Sequence, residues 1–135
     1  MQRLTQYADV VSEVSAFLAE RVAALNAAGC GSERITLDPG YGFAKTPEQN
    51  FELLRRQREL LALELPILVG WSRKSSLGAL TGRAVDERLP ASLAAALASI
   101  ANGARIVRVH DVAATVDAIK VWRAAGLTEA VNDNH

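Results

Sequence analysis

Three clusters of charged and polar residues each follow a short apolar run, and they hold the residue types that could do chemistry. Asp38 follows Ile35-Thr36-Leu37, Ser72-Arg73-Lys74-Ser75 follows Pro66–Gly70 and Trp71, and His110-Asp111 follows Arg105–Val109. Because the carboxyl ends of parallel strands meet at one face of an α/β fold, we expect these clusters to lie together. The sequence therefore predicts a polar site built from residues far apart along the chain.

The predicted site combines a carboxylate with several cations and donors. Asp38 could accept two parallel N–H bonds from an amino-heterocycle. The groups suited to a phosphate-bearing ligand are Arg73, Lys74, Arg108 and His110. Arg108 stands inside an apolar strand, where an arginine needs an anionic partner because burial without one costs several kcal/mol. The pattern indicates a ligand with a donor-rich end and an anionic end.

These residues also have structural interpretations. Asp38 precedes Pro39-Gly40 and could hydrogen-bond its own backbone in a turn, and Asp111 is predicted to be a helix N-cap. Arg73 and Lys74 could merely keep a loop soluble, and His110 alone could be structural. Residues outside the clusters are predicted to do no chemistry: Arg55, Arg56 and Arg58 form a solvated helix face, and Trp71 and Trp122 pack in the interior, with Trp71 close enough to wall a pocket.

The elements that would position these residues follow from apolar spacing. A first helix is predicted to end at Gly29, and its apolar stripe comprises Tyr7, Val10, Val11, Val14, Phe17, Leu18, Val22 and Leu25. Thr46-Pro47-Glu48-Gln49 carries a capping box that begins a second helix, predicted to reach about Leu63. That helix is predicted to bury Phe51, Leu54 and Leu61.

The rest of the chain alternates in the same way. A polar stretch from Ser72 to Glu87 is predicted to lie outside the core, since it is rich in cations. Pro90 begins an alanine-rich helix that Gly103 ends, and a last helix runs from Asp111 to about Gly126. The tail Asn132–His135 is predicted to fray.

The order is one helix followed by three strand–helix units, which predicts a single α/β domain over residues 1–135 with parallel strands covered by helices. The first helix resembles the second half of a βα unit whose strand would lie upstream of Met1.

Composition excludes several classes. Fifteen basic residues balance fifteen acidic ones, so no broad field would attract nucleic acid or an anionic membrane. The single Cys30 excludes an internal disulfide and suits a reducing cytoplasm, and no apolar run approaches the roughly 20 residues that span a bilayer. No signal-peptide pattern occurs, so a cytoplasmic location is expected. The common nucleotide-binding motifs GxGxxG and GxxxxGK[ST] are missing. The motifs HExxH and CxxC are missing too, which argues against a self-contained zinc site.

Three blocks together resemble dihydropteroate synthase, a pterin-binding family. They are Asp38-Pro39-Gly40-Tyr41-Gly42-Phe43-Ala44-Lys45, Gly70-Trp71-Ser72-Arg73-Lys74-Ser75 and Arg108-Val109-His110-Asp111. In that family the blocks occur in this order at closely similar separations, and the resemblance extends over nearly the whole chain. It implies a transferase of folate synthesis that joins 6-hydroxymethyl-7,8-dihydropterin diphosphate to p-aminobenzoate and releases diphosphate.

The resemblance also implies a role for each matching residue. Asp38, Gly42 and Lys74 would bind the pterin, and Phe43, Arg73 and Ser75 would line the p-aminobenzoate side, where sulfonamides also bind. Arg108 and His110 would hold the diphosphate. Asp38, Lys74, Arg108 and His110 would be the catalytic set. Diphosphate would depart to leave a pterin cation at the methylene carbon, which the aryl amine would trap.

The family fold is a (β/α)8 TIM barrel of about 250 residues, so the chain is expected to be the C-terminal part of one, with Met1-Gln2 falling inside the family's fifth unit. The family's Mg²⁺ would depend on an Asn in the missing N-terminal half, with no metal ligand in this chain. An incomplete barrel has an open sheet edge, which predicts a homodimer or association with the missing half. We expect little activity from the chain alone. The alternatives are a non-catalytic pterin-binding or assembly remnant, and the pterin-binding domain of a corrinoid-dependent methyltransferase.

Overall fold

The computed structural model describes residues 8–127 as an α/β arrangement of five α-helices and two short strands. The predictions for Met1-Gln2, Tyr7 and the Asn132–His135 tail lie outside the described residues. The helices are α1 (Val10–Ala27), α2 (Pro47–Arg55), α3 (Ser75–Thr81), α4 (Leu89–Ala101) and α5 (Val112–Ala124), and the strands are β1 (Leu68–Val69) and β2 (Ile106–Val107). Three 3₁₀ segments add Ser32–Arg34, Gln57–Leu63 and Val85–Glu87.

The strands are parallel, as predicted. β1 pairs with β2 on one side. On its other side an extended segment forms a parallel bridge between Leu37 and Ile67. The Leu37 N–H donates to the Pro66 carbonyl at 2.8 Å, and the Leu37 carbonyl accepts from the Leu68 N–H at 2.8 Å. The loops that carry the three polar clusters therefore leave the same end of three adjacent extended segments.

The core lies between this sheet and the helices, and it is deepest at Leu53, Leu60 and Ile67, each 0% exposed. The third strand departs from the expected burial, because Ile106 is 45% exposed. The prediction that Arg108 ends a buried strand is therefore wrong: its side chain is 58% exposed.

Helix α1 buries Val10, Val11, Val14 and Leu18, which confirms four of the eight residues of the predicted stripe. Two members of that stripe are exposed, however: Phe17 at 53% and Leu25 at 42%. Phe17 lines an open cleft beside the first polar loop, and Leu25 lies in the last turn of α1. Periodicity identified the helix, but the buried face is narrower than the apolar stripe.

The second predicted helix begins as expected and ends early. The Thr46 hydroxyl accepts from the Gln49 N–H at 3.1 Å and the Gln49 side chain accepts from the Thr46 N–H at 2.8 Å, so the capping box is confirmed. The α-helix stops at Arg55, and Gln57–Leu63 forms a 3₁₀ helix. Since residues three apart eclipse in a 3₁₀ helix, Gln57 and Leu60 share one side, and both are fully buried.

The stretch from Ser72 to Glu87 contains α3, and the prediction that it lies outside the core is wrong at three positions. Ser72 is 8% exposed. Ser76 and Leu77 are each 3% exposed. A short helix with one buried apolar side chain produces no repeating pattern, so the surrounding cations dominated the prediction.

Arg56 was predicted to be a solvated side chain, and instead it joins α1 to α2. Its guanidinium contacts Asp9 at 3.1 Å, Glu52 at 3.0 Å and Glu59 at 2.8 Å, with its side chain 33% exposed. Asp9 is also the N-cap of α1 and accepts from the Val11 N–H at 3.1 Å. The hydrogen bond from Arg56 lowers the pKa of the Asp9 carboxyl from 3.8 to about 2.

This lowered pKa predicts how acid affects stability. Ionised Asp9 stabilises the folded chain above pH 3.8, and that contribution is lost as the pH falls through about 2. Asp9→Asn retains an N-cap side chain but lacks the charge. Denaturant titrations should therefore show the wild-type advantage over Asp9→Asn shrinking as the pH falls from about 5 toward 2. A difference that stays constant over this range would contradict the proposed role of the ion pair.

Candidate functional site

The first polar loop is held by its own side chains. One Asp38 carboxylate oxygen, Oδ1, accepts from the Gly40 N–H at 2.9 Å, so the turn interpretation of Asp38 is correct for that oxygen. The Lys45 ammonium donates to the carbonyls of Gly40 at 2.8 Å and Phe43 at 2.9 Å. Burial lowers the pKa of Lys45, and the nearby Asp38 opposes this shift. The other oxygen of Asp38 remains free of the turn.

Lys74 crosses from the second loop to the first. Its Nζ donates to the Tyr41 carbonyl at 3.1 Å and lies 4.9 Å from the centroid of the Phe43 ring. Gly42 has φ +88°, and a Cβ built there would lie 3.2 Å from Lys74 Cδ, so a side chain would crowd the lysine. Partial burial lowers the pKa of Lys74, Arg108 adds to that effect and Asp38 opposes it.

Arg108 connects Asp38 to the third loop. Its Nη1 lies 3.7 Å from Oδ2 of Asp38, which supplies the anionic partner that the sequence required. The guanidinium lies against Gly70, where a Cβ would come within 2.5 Å of Nη2. This pair is exposed, so it attracts weakly and leaves both groups available to a ligand.

His110 is fixed by a residue to which the sequence analysis gave no role. Ser72 Oγ lies 2.8 Å from His110 Nδ1 and accepts from the His110 backbone N–H at 3.2 Å. A cavity of about 480 Å³ is lined by Gly70, Ser72, Lys74, Arg108, Val109 and His110. Asp38 instead lines a second cavity of about 560 Å³, together with Phe43 and Phe17. The predicted residues are thus neighbours, but they divide between two adjoining cavities.

Asn50 is a second residue that the sequence analysis missed. It is 1% exposed, its Oδ1 accepts from the Gly42 N–H at 3.1 Å, and its Nδ2 donates to Ser76 Oγ at 3.0 Å. This amide therefore ties the first loop to α3, which follows Lys74. Asparagine in an ordinary amphipathic helix gives no local sign of such a role, so the signal was absent from the sequence.

Arg73 and Ser75 are placed differently from the cavity-lining residues. Arg73 has φ +60°, and both its backbone groups are held: the N–H donates to Ser92 Oγ at 2.9 Å, and the carbonyl accepts from Arg88 at 3.0 Å. Its guanidinium contacts the two carboxylate oxygens of Asp111 at 3.2 and 3.3 Å. Ser75 begins α3 with an exposed side chain.

The contact with Arg73 corrects the prediction for Asp111. Asp111 stands at the N-cap position of α5, but its side chain makes no capping hydrogen bond there. The carboxylate binds Arg73 instead, since a charged partner from another loop competes with the local N–H groups.

Tryptophan packing is as predicted. Trp71 is 2% exposed, with its ring centroid 4.8 Å from that of Tyr41 and 5.1 Å from that of Phe51, and Trp122 is 8% exposed. Trp71 therefore packs against Tyr41 in the first polar loop.

Within residues 8–127, no three His, Cys, Asp or Glu side chains converge as metal ligands. No chemical step assigned to the chain's own residues depends on a metal. In the same range, no helix is both long and apolar enough to cross a membrane.

Comparison with known proteins shows a family to which the chain is similar. A family described as "Pterin binding enzyme" matches residues 1–110. The dihydropteroate synthase of Neisseria meningitidis serogroup B is 53% identical over 131 residues, which are 94% of this chain and 46% of that protein. The Escherichia coli K12 dihydropteroate synthase is 44% identical over 124 residues, 92% of this chain and 44% of its own length.

Solved structures of dihydropteroate synthases are also similar to this chain. A Stenotrophomonas maltophilia dihydropteroate synthase superposes with a TM-score of 0.90 at 50% identity, over 96% of this chain and 49% of that one. A Xanthomonas albilineans dihydropteroate synthase in complex with 7,8-dihydropteroate gives 0.89 at 47% identity, over 91% of this chain and 47% of that one. The chain thus spans about half the length of the relatives it matches.

Proposed function

The chain belongs to the pterin-binding enzyme family, and from this premise we propose that it supplies part of the ligand site of a dihydropteroate synthase. The reaction would join a dihydropterin diphosphate to p-aminobenzoate in folate synthesis. The observation that carries the proposal is the arrangement of Asp38, Lys74, Arg108 and His110 on adjoining loops, with Asp38 and Arg108 in contact at 3.7 Å. A carboxylate beside cations suits a ligand with a donor-rich ring and an anionic leaving group.

The pterin end of the ligand is assigned to Asp38, Gly42 and Lys74. One oxygen of Asp38 is occupied by the Gly40 N–H, which orients the carboxylate and leaves Oδ2 for the ring N–H groups. Lys74 lies against Gly42, so its aliphatic stem can cover a flat ring while its ammonium stays anchored on the Tyr41 carbonyl.

The diphosphate end is assigned to Arg108 and His110. Both line the cavity of about 480 Å³ that Lys74 also lines. As the bond between the pterin methylene carbon and the diphosphate oxygen breaks, these donors would stabilise the charge gathering on that oxygen. The aryl amine would then form the new carbon–nitrogen bond and lose a proton. Asp38 would stabilise the positive charge that develops on the pterin.

The p-aminobenzoate side is assigned to Phe43, Arg73 and Ser75. Phe43 is 65% exposed and presents its ring beside Lys74, which suits stacking against an aryl group. The guanidinium of Arg73 now holds the Asp111 carboxylate and suits a second carboxylate in the same way. A Xanthomonas albilineans relative has been solved with 4-aminobenzoic acid.

The chain would form the C-terminal portion of a (β/α)8 barrel, with α1 preceding three βα units. Among residues 8–127 each outer extended segment has a single neighbour, and Ile106 on β2 is 45% exposed, which leaves sheet surface for a partner. We therefore expect the chain to form a homodimer or to associate with the other part of a barrel. Sedimentation at micromolar concentration should show an assembly larger than one chain, and a stable, well-folded monomer would contradict this.

Calorimetry with 6-hydroxymethyl-7,8-dihydropterin diphosphate tests the function. We expect binding, and little turnover when p-aminobenzoate is added, because the chain spans about half of its relatives. Absence of binding by the folded chain would overturn the proposal. Family-like turnover by the chain alone would overturn the expectation of low activity, whereas binding without any turnover would favour a non-catalytic pterin-binding remnant.

Asp38→Asn provides a specific test of the pterin end. The amide oxygen can still accept from Gly40, so the loop is preserved, but the charged acceptor of the ring donors is lost. Affinity for the pterin diphosphate should fall about tenfold, since a hydrogen bond to a charged group contributes about 1.5–3 kcal/mol. Affinity for inorganic diphosphate should not fall. Equal losses for both ligands would contradict the assignment of Asp38.

A further inference from the structure

The Ser72 hydroxyl oxygen lies within hydrogen-bond distance of two nitrogens of His110, the backbone N and the ring Nδ1. We propose that Ser72 is a positioning residue that fixes the neutral imidazole of His110 as the tautomer protonated on Nε2. His110 then presents an N–H donor to the cavity that it lines with Lys74 and Arg108. The identity of the ligand rests on the proposed function: the donor would serve a diphosphate oxygen.

The Ser72 hydroxyl can both accept and donate a hydrogen bond. This oxygen accepts from the His110 backbone N–H at 3.2 Å, so one lone pair is used. Its own hydrogen needs an acceptor, because Ser72 is only 8% exposed. His110 Nδ1 lies 2.8 Å away. A serine hydroxyl that donates to Nδ1 requires that nitrogen to be unprotonated, which places the proton of a neutral imidazole on Nε2.

Nε2 of His110 has no hydrogen-bond partner within residues 8–127, and the residue is exposed on the cavity side. Arg108 and Lys74 contribute charge to the same cavity, but neither is hydrogen-bonded to the imidazole within residues 8–127. The imidazole therefore keeps a donor available for a ligand while its hydrogen bond to Ser72 orients the ring.

The two contacts to Ser72 also fix the ring in space. The backbone N–H and the ring Nδ1 of His110 both contact Ser72 Oγ, at 3.2 and 2.8 Å. Rotation of the imidazole would break the contact at Nδ1, which is the shorter of the two. A hydroxyl at position 72 thus acts on ligand binding through His110, without touching the ligand. The same oxygen links the second loop to the third.

Nitrogen NMR of the imidazoles in the full 135-residue chain tests the pair without any ligand. The sequence has two histidines, so His135→Gln assigns the His110 signals. In spectra recorded at about pH 8.5, the neutral imidazole of wild type should show an unprotonated Nδ1 and a protonated Nε2. Ser72→Ala should shift both signals toward a tautomer mixture. Ser72→Thr retains the hydroxyl and should restore the wild-type signals.

Calorimetry with sodium diphosphate supplies the second measurement on the same proteins. We expect Ser72→Ala to weaken binding about 5- to 10-fold, consistent with loss of order 1 kcal/mol of orientation and hydrogen bonding, and Ser72→Thr to bind within about twofold of wild type. Ser32 is exposed and lies in the 3₁₀ segment Ser32–Arg34, so Ser32→Ala serves as the matched control and should change neither the imidazole signals nor the affinity.

The outcomes separate this inference from the proposed function. Identical His110 tautomers in wild type and Ser72→Ala would overturn the pairing. A changed tautomer with unchanged diphosphate affinity would overturn the role of the pair in binding. If wild type binds no diphosphate, the proposed function fails, and the imidazole signals still decide whether Ser72 sets the tautomer. A backbone spectrum like that of wild type verifies that each variant is folded.

Discussion

Replacing Gln57 with leucine is expected to lower the free energy of unfolding by about 2 to 4 kcal/mol. Gln57 is 0% exposed; its Oε1 accepts from the Tyr41 hydroxyl at 2.9 Å, and its Nε2 donates to the carbonyls of Ser99 at 3.0 Å and Asn102 at 3.2 Å. Leucine would leave the Tyr41 hydroxyl buried without its acceptor. Urea denaturation followed by circular dichroism measures the loss.

Two further variants make the test specific. Arg58→Leu changes the adjacent, exposed residue and should shift the unfolding free energy by no more than about 0.5 kcal/mol. Tyr41→Phe removes the hydroxyl that Gln57→Leu would leave unpaired. The double variant should therefore be more stable than the sum of the two single changes predicts, by about 1 kcal/mol. Strict additivity would contradict the buried network.

Arg108→Met is expected to weaken diphosphate binding by about 10- to 100-fold. A charged hydrogen bond contributes about 1.5–3 kcal/mol, and each 1.4 kcal/mol is a factor of about ten in affinity. Methionine keeps much of the side chain's length without the guanidinium. Because Arg108 is 58% exposed and its contact with Asp38 is weak, the change should leave the fold intact. Calorimetry with sodium diphosphate measures the effect.

Arg105→Met provides the matched control, since Arg105 is an exposed arginine three positions earlier in the chain and outside the cavity lining. It should bind diphosphate as wild type does at the same ionic strength. Equal weakening by both variants would mean that diphosphate responds only to overall positive charge, and would contradict a defined site at Arg108.

The sheet and the grouping of its loops were predictable because they depend on local signals. The apolar runs ending at Leu37 and Val69 are each followed by polar residues. Strands that are connected by helices pair in parallel, so their carboxyl ends lie side by side. The capping box at Thr46 was equally predictable, since both partners lie within four residues of each other.

The residues that hold the loops in place could not be predicted in the same way. Asn50 meets Ser76 across 26 positions, and Gln57 meets Ser99 across 42. Nothing in the local pattern distinguishes a buried amide from a solvated one when its partners are so distant. The prediction that the Asp111 side chain caps α5 was wrong for a related reason. Arg73, 38 positions away, binds the Asp111 carboxylate in place of the helix N–H groups.

Tyr41 contacts Lys74 through its carbonyl and Gln57 through its hydroxyl, so one residue joins the ligand-facing lysine to the end of α4. Laboratory selection for altered ligand affinity should therefore recover substitutions at positions such as Asn102, which contacts Gln57 and Leu54 and lines neither cavity. A survey of affinity-altering variants restricted to positions that touch the bound ligand would overlook this route.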